Sequence, residues 1–209
     1  MNIIGQTIRC KDPLKEALEI VGVDNLIISN SNFIGGKCCL RLNGCNNFTI
    51  DNVLCSGMMG PANPDGQGIQ LINSWGKMNN ISIVASKQAE DLISVYADRT
   101  VAGNVDINNV HLYGRGDSDS STSICLDGPH CPTTTIKNIS ITRARCGITI
   151  GGGVGHVIYC DERSFKWCQS MIYVNQFYDG PFGNNTIHCP SDNYVLLGEK
   201  AGSTNKILR

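Results

Sequence analysis

Short segments in which apolar and polar residues alternate return along this chain at nearly constant spacing. They read Leu18-Glu19-Ile20-Val21-Gly22, Leu40-Arg41-Leu42-Asn43-Gly44, Ile69-Gln70-Leu71-Ile72-Asn73, Ile93-Ser94-Val95-Tyr96-Ala97, Ile124-Cys125-Leu126-Asp127-Gly128, Ile148-Thr149-Ile150-Gly151-Gly152 and Ile172-Tyr173-Val174-Asn175. Their first positions lie 22, 29, 24, 31, 24 and 24 residues apart. Alternation with a period of two marks a strand with one buried face, and a strand recurring every few tens of residues marks a stack of repeats.

A second set follows the first by about eight residues: Leu26-Ile27-Ile28, Phe48-Thr49-Ile50, Ile81-Ser82-Ile83, Val105-Asp106-Ile107 and Thr134-Thr135-Ile136. Two positions after Ile28, Ile50, Ile107 and Ile136 stand Asn30, Asn52, Asn109 and Asn138, with Ala85 interrupting the series once. Asparagine tolerates the left-handed backbone of a tight corner, and its amide can bond to the copy above, so these residues are expected to stack. A third apolar pair follows each corner, as in Val110 with Leu112 and Ile139 with Ile141. Three strands per turn, each parallel to its counterpart in the next turn, predict an all-β right-handed parallel β-helix of about seven turns. A sandwich with evenly spaced strands has no need of an in-register asparagine series.

Composition fits one elongated domain spanning 1–209, with repeats over roughly 17–175 and a C-terminal rung and cap over 176–209. Its 23 glycines and 6% aromatic content suit a solenoid with tight corners and a thin aliphatic core. With Lys+Arg 17 against Asp+Glu 18, the net charge of −1 offers no general attraction to nucleic acid or to an anionic membrane. No apolar run approaches the ~20 residues of a membrane-spanning helix. The start Met1-Asn2-Ile3-Ile4-Gly5 lacks the basic and apolar regions of a signal peptide. Against that, 11 cysteines suit an oxidising compartment. An extracellular or virion-associated location is the expectation. Cys125/Cys131 and Cys160/Cys168 have spacings that close into disulfides if their Cα atoms come within range, whereas no Cys-x-x-Cys or His-x-His pair suggests zinc.

In the first strand of each turn the polar alternates Arg41, Gln70, Ser94, Cys125, Thr149 and Tyr173 are predicted to face outward as a ridged groove. Its natural ligand is an extended chain, above all a polysaccharide. Arg41, Gln70, Ser94 and Tyr173, with Lys77 for a substrate carboxylate, are the candidate binding residues. Two longer connections, 56–67 and 114–122, break the period, and such loops often build binding walls. The first carries Asp65, and Glu90-Asp91 opens the next turn, so stacking predicts a carboxylate cluster able to hold Ca²⁺ through oxygen ligands.

At these residues the chain resembles the pectate-lyase-like superfamily, which includes polysaccharide lyases and polygalacturonase-type hydrolases. Glu90-Asp91-Leu92-Ile93-Ser94-Val95 is similar to the Glu-Asp segment of small calcium-binding pectate lyases and to the Asp-Asp segment of polygalacturonases. Asn63-Pro64-Asp65-Gly66 resembles the Asn-Thr-Asp segment of those hydrolases, and Arg145-Cys146-Gly147-Ile148-Thr149-Ile150-Gly151 their Gly-His-Gly segment, with Cys146 in the place of histidine. Strict rung alignment puts Gln67 where the carboxylate of Asp65 is expected, and Thr122 or Ser123 and Thr149 where a lyase carries basic residues.

The resemblance implies a polyuronate substrate. Calcium-assisted β-elimination is the leading expectation: Ca²⁺ neutralises the uronate carboxylate and a base removes the neighbouring proton. In such lyases the base is an arginine. Arg145, just before the strand from Ile148, and Arg115, on the loop over the groove, are the candidates. Hydrolysis by two carboxylates is the alternative. A noncatalytic shaft or glycan-binding protein of a phage or virus, self-associating as a trimer, is the reading from another class.

Overall fold

The computed structural model describes residues 1–60, 66–87, 89–114 and 122–209. It is all-β apart from one short 3₁₀ turn at Asp192–Tyr194, and its strands stack as a parallel β-solenoid of about seven turns.

One 8-stranded parallel sheet takes one short strand from each turn, in the order Leu18–Val21, Cys38–Asn43, Gly66–Ile72, Ala89–Tyr96, Thr122–Asp127, Cys146–Ile150, Ser170–Val174 and Val195–Leu197. The predicted repeats align as expected, since Leu18 pairs with Leu40, Leu40 with Ile69, Ile69 with Ile93, Ile93 with Ile124, Ile124 with Ile148 and Ile148 with Ile172. The strand Val195–Leu197 adds a rung within the region expected to be a cap.

The other wall is an 11-stranded sheet, and here two of the three expected strands per turn merge. Ile27–Gly35, Asn46–Ser56, Trp75–Val84, Val105–Tyr113 and Thr134–Thr142 each run through an asparagine corner without breaking their ladder. At each corner the asparagine is left-handed: Asn30 (φ 51°), Asn52 (52°), Asn80 (55°), Asn109 (52°) and Asn138 (53°). Asn52 Nδ2 donates to Asn30 Oδ1 at 2.7 Å, Asn109 Nδ2 donates to Asn80 Oδ1, and Asn138 Nδ2 reaches Asn108 Oδ1 at 2.8 Å.

The expected gap in this series does not exist. Ile81-Ser82-Ile83 pairs with Val110-His111-Leu112, and it is Gly76-Lys77-Met78 that pairs with Val105-Asp106-Ile107. Asn80 therefore occupies the corner. Gly76, which has no side chain to keep the alternation visible, concealed the register; a Cβ there would fall 2.3 Å from the Phe48 carbonyl oxygen.

Inward positions form continuous apolar stacks, such as Ile20, Leu42, Leu71, Val95, Leu126, Ile150 and Val174 on one wall and Ile28, Ile50, Met78, Ile107, Ile136, Ile158 and Ile187 on the other, all buried. Burying each such side chain contributes about 1.5–3 kcal/mol.

All 11 cysteines are free thiols. The Cys125/Cys131 pair does not form because Cys125 faces outward while Cys131 is buried, its Sγ directed at the Val95 carbonyl at 3.4 Å. Cys160 lies beside Cys189 on the next rung rather than beside Cys168, since Tyr159 pairs with His188 and Cys160 N donates to His188 O at 2.9 Å.

Candidate functional site

Strict alternation breaks once in each of the four middle strands of the 8-stranded sheet, where two consecutive residues face inward: Gly68 and Ile69, Leu92 and Ile93, Ser123 and Ile124, Gly147 and Ile148. Three outward files result. The first contains Cys38, Gln67, Asp91, Thr122, Cys146 and Ser170, the second Arg41, Gln70, Ser94, Cys125, Thr149, Tyr173 and Leu196, and the third Asn43, Ile72, Tyr96 and Asp127.

Over the middle and C-terminal rungs these files floor a cleft of about 590 Å³. Glu90, Asp91 and Thr122 form one side, Asp127 and Phe177 another, Cys125, Thr149 and Tyr173 the centre, and Arg145, Cys146, Ser170 and Leu196 the remainder. Asp91 is partly accessible yet enclosed by protein, and burial pushes its carboxyl up to about 8, with the negative charges of Glu90 and then Asp127 adding to the rise. It carries its proton at neutral pH.

Asp127 lies on the next rung, in the third file, and lines the same cleft. Burial pushes its carboxyl up as well, but two donors oppose the shift: Gly128 N at 2.9 Å from Oδ1, and the Tyr178 hydroxyl at 3.4 Å from Oδ2. Room for this carboxylate depends on Gly151, where a Cβ would fall 2.9 Å from Asp127 Oδ1 and 2.3 Å from the Phe177 ring. Asp127 and the Phe177-Tyr178 pair were missed by the sequence reading. Asp127 follows Cys125 by two residues, so the period of the strand could have placed it in an outward file; Phe177 and Tyr178 lie outside the repeat and carry no such signal.

The thiols in the cleft are poor nucleophiles. Burial pushes Cys125 well above the usual thiol range, and it also raises Cys146, whose Sγ accepts a hydrogen bond from Thr149 Oγ1 at 3.3 Å.

Of the predicted site residues, Glu90, Asp91, Arg145 and Tyr173 meet in this cleft. Ser94 lies on the second file but is buried between its neighbours. Arg41 and Gln70 share that file nearer the N-terminal end and are engaged with each other: Arg41 Nε donates to Gln70 Oε1 at 2.6 Å, while the guanidinium pairs with Glu16 and, at 3.9 Å, with Glu19. Lys77 is exposed on Trp75–Val84, which belongs to the other sheet, so it does not join the cleft. Asp65 and Arg115 lie outside the described residues. Gln67 pairs with Asp91, as rung alignment requires.

Among the described residues, no group of three or more His, Cys, Asp and Glu side chains is close enough to hold a metal ion. Of the carboxylates expected to hold Ca²⁺, Glu90 and Asp91 line the cleft, and burial raises the carboxyl of Asp91, which disfavours the charged form that a calcium ligand needs. Comparison of the chain with protein-family models, with curated proteins and with solved structures gives no match.

Proposed function

We propose that this protein is a polysaccharide-active β-helix that hydrolyses glycosidic bonds in the cleft, with Asp91 as the proton donor and Asp127 as the second carboxylate. One observation carries the reading: Asp91 is held protonated near neutrality beside a second carboxylate whose two hydrogen bonds favour its charged form. Pushing the pKa values of a carboxyl pair apart is how one protein surface supplies acid and base together.

On this reading a sugar chain lies over the second file, and Asp91 protonates the leaving glycosidic oxygen. Asp127, oriented by Gly128 N–H and the Tyr178 hydroxyl, accepts a proton from the attacking water. The two carboxylates stand on adjacent rungs in the first and third files, with the Cys125 file between them. The stacked fold and the Glu90-Asp91 segment would then place the chain beside the hydrolases of the pectate-lyase-like superfamily.

Arg145 supports a second reading, because it lines the same cleft and is the group an elimination would use as base. Incubation with a panel of neutral and acidic polysaccharides, with Ca²⁺ or with chelator, separates the two. Reducing ends without ultraviolet-absorbing unsaturated products, released with or without Ca²⁺, support hydrolysis. Unsaturated products that require Ca²⁺ replace it with elimination. Glycan binding without any product leaves the noncatalytic shaft.

A further inference from the structure

Cys160 and Cys189 stand in the column of the asparagine corners. Ile107 pairs with Ile136, Ile136 with Ile158 and Ile158 with Ile187. Two residues past each of these come Asn109, Asn138, Cys160 and Cys189 in turn. In the earlier turns this column links rung to rung through side-chain amides, as Asn52 does with Asn30 and Asn138 with Asn108. From Cys160 onward thiols replace the amides, and neither cysteine has the left-handed backbone of the asparagines. Both side chains turn inward, Cys189 into the core and Cys160 against it.

The two thiols meet there. Tyr159 pairs with His188, Cys160 N donates to His188 O at 2.9 Å, and Cys160 Sγ lies 3.3 Å from that same oxygen, which belongs to the peptide group joined to Cys189. Adjacent strands are about 4.8 Å apart, within the ~4.4–6.8 Å between Cα atoms that a disulfide spans. Each thiol shifts the other's ionisation, as close neighbours do. Two other pairings fare worse. Cys39 and Cys55 are neighbours as well, but both are fully buried, beyond the reach of a soluble oxidant. Cys168 is out of register with Cys146, whose partner on the next rung is Ser170. Cys160, by contrast, is partly exposed.

The position is one where a cross-link adds much. Between Ile27 and Thr142 the strands of this wall are 9 to 11 residues long, whereas Val157–Tyr159 and Thr186–His188 have 3 each and Phe165–Lys166 has 2. Short ladders leave few hydrogen bonds to hold successive turns together. Residues 161–188 make one complete turn, which carries Tyr173 into the cleft and bears Tyr178, the donor to Asp127. A bond between the two cysteines would close that turn into a covalent ring.

We propose that Cys160 and Cys189 form an oxidation site, at which a disulfide takes over for the last turns the rung-to-rung link that asparagine amides make in the earlier ones. Neither cysteine takes part in the proposed hydrolysis.

The oxidant is a low-molecular-weight disulfide such as oxidised glutathione. The Cys160 thiolate attacks one of its sulfurs, forming a mixed disulfide as the oxidant's S–S bond breaks and one thiolate leaves. The Cys189 thiolate then attacks Cys160 Sγ, forming the Cys160–Cys189 bond and expelling the second thiolate. The two protons lost by the cysteines pass to the two departing thiolates, and the two electrons reduce the oxidant. Burial pushes Cys160 up to about 12 and raises Cys189 too, so the closed fold holds both as thiols and exchange proceeds during folding or on opening of the end turns.

The test refolds the unmodified protein from urea in a buffer of oxidised and reduced glutathione, and in parallel with reductant alone. Remaining thiols are alkylated and the peptides mapped by mass spectrometry. The oxidised sample should yield a Cys160 peptide linked to a Cys189 peptide, with the other cysteines alkylated. Its thermal midpoint should lie roughly 5–10 °C above that of the reduced sample. Amide hydrogen exchange across Ser170–Val174 should slow by about tenfold or more. In Cys160→Ser and in Cys189→Ser the oxidised and reduced samples should coincide in both measurements, a comparison within each variant that any change in its own stability leaves intact. Cys160 linked to Cys168 or to any other cysteine, or both thiols left open to alkylation, overturns the assignment. A Cys160–Cys189 link that changes neither the midpoint nor the exchange overturns its stapling role.

Discussion

Tyr178 donates its hydroxyl to Asp127 Oδ2 at 3.4 Å, joining a loop beyond the seventh strand of the 8-stranded sheet to a carboxylate 51 residues earlier. The bond favours the charged form of Asp127 against the desolvation that raises it. Tyr178→Phe should therefore raise the Asp127 pKa further and move the acid limb of the pH–rate profile to higher pH, with a few-fold lower rate near neutrality. An unmoved limb in that variant would mean that Asp127 is not the base.

Asp91→Asn separates function from stability. Loss of a general acid costs about 10²–10⁴ in rate. For stability, the native carboxyl is raised from 3.8 to about 8, so the native state holds a proton that the unfolded chain releases. Stability from this group is present below about pH 3.8 and is lost as pH rises through the window to about 8, at up to about 1.4 kcal/mol per pH unit, less for the partial exposure. The asparagine variant should be the more stable protein at pH 8 and equal to the unmodified one near pH 4, as read from urea denaturation. Equal stability at both pH values would mean that Asp91 is ionised in the fold.

His156 acts in the opposite sense. It is buried, its Nδ1 accepts from Thr134 N at 3.1 Å, and Nε2 therefore carries the hydrogen that faces Gly152 O at 2.8 Å. Burial lowers its pKa from 6.5 to about 4, so its contribution is complete above about pH 6.5 and is lost as pH falls towards 4, by roughly 3 kcal/mol in all. Between about pH 4 and 6.5 this slope opposes that of Asp91. The unmodified protein should show a flat profile there, and Asp91→Asn should expose the histidine slope. A flat profile in the variant too would show that His156 does not titrate through this window.

Asn80 carries the corner hidden from the repeat. At φ 55° it accepts from Asn109 Nδ2 and donates to Asp51 Oδ1 at 2.8 Å. Asn80→Ala should cost about 2–3 kcal/mol from the left-handed strain and the lost bonds, while Asn80→Gly, which relieves the strain, should cost about half as much. Thermal denaturation of the two variants checks the order. Similar losses in both would assign the whole effect to the hydrogen bonds.

The solenoid, its seven repeated strands and the outward file from Arg41 to Tyr173 were legible in the chain, because a period of two assigns every residue of a strand to one face. The asparagine corners were legible for the same local reason, as few other residues accept that backbone. The register around Asn80 was not, since Gly76 interrupts the apolar pattern and only pairing with Val105 reveals the alignment. The cleft itself belongs to the tertiary structure. Lys77 and Tyr173 are both polar alternates in sequence, yet the folding of each turn sends one to the far sheet and the other to the cleft. The charge of Asp127 raises the Asp91 carboxyl only because successive turns stack, and Phe177 and Tyr178 reach the cleft from an aperiodic loop whose path is set by bonds to Ile150 and Gly151. Periodicity is a local property that a sequence displays directly, whereas burial and charge depend on which turns and loops come together above a given rung.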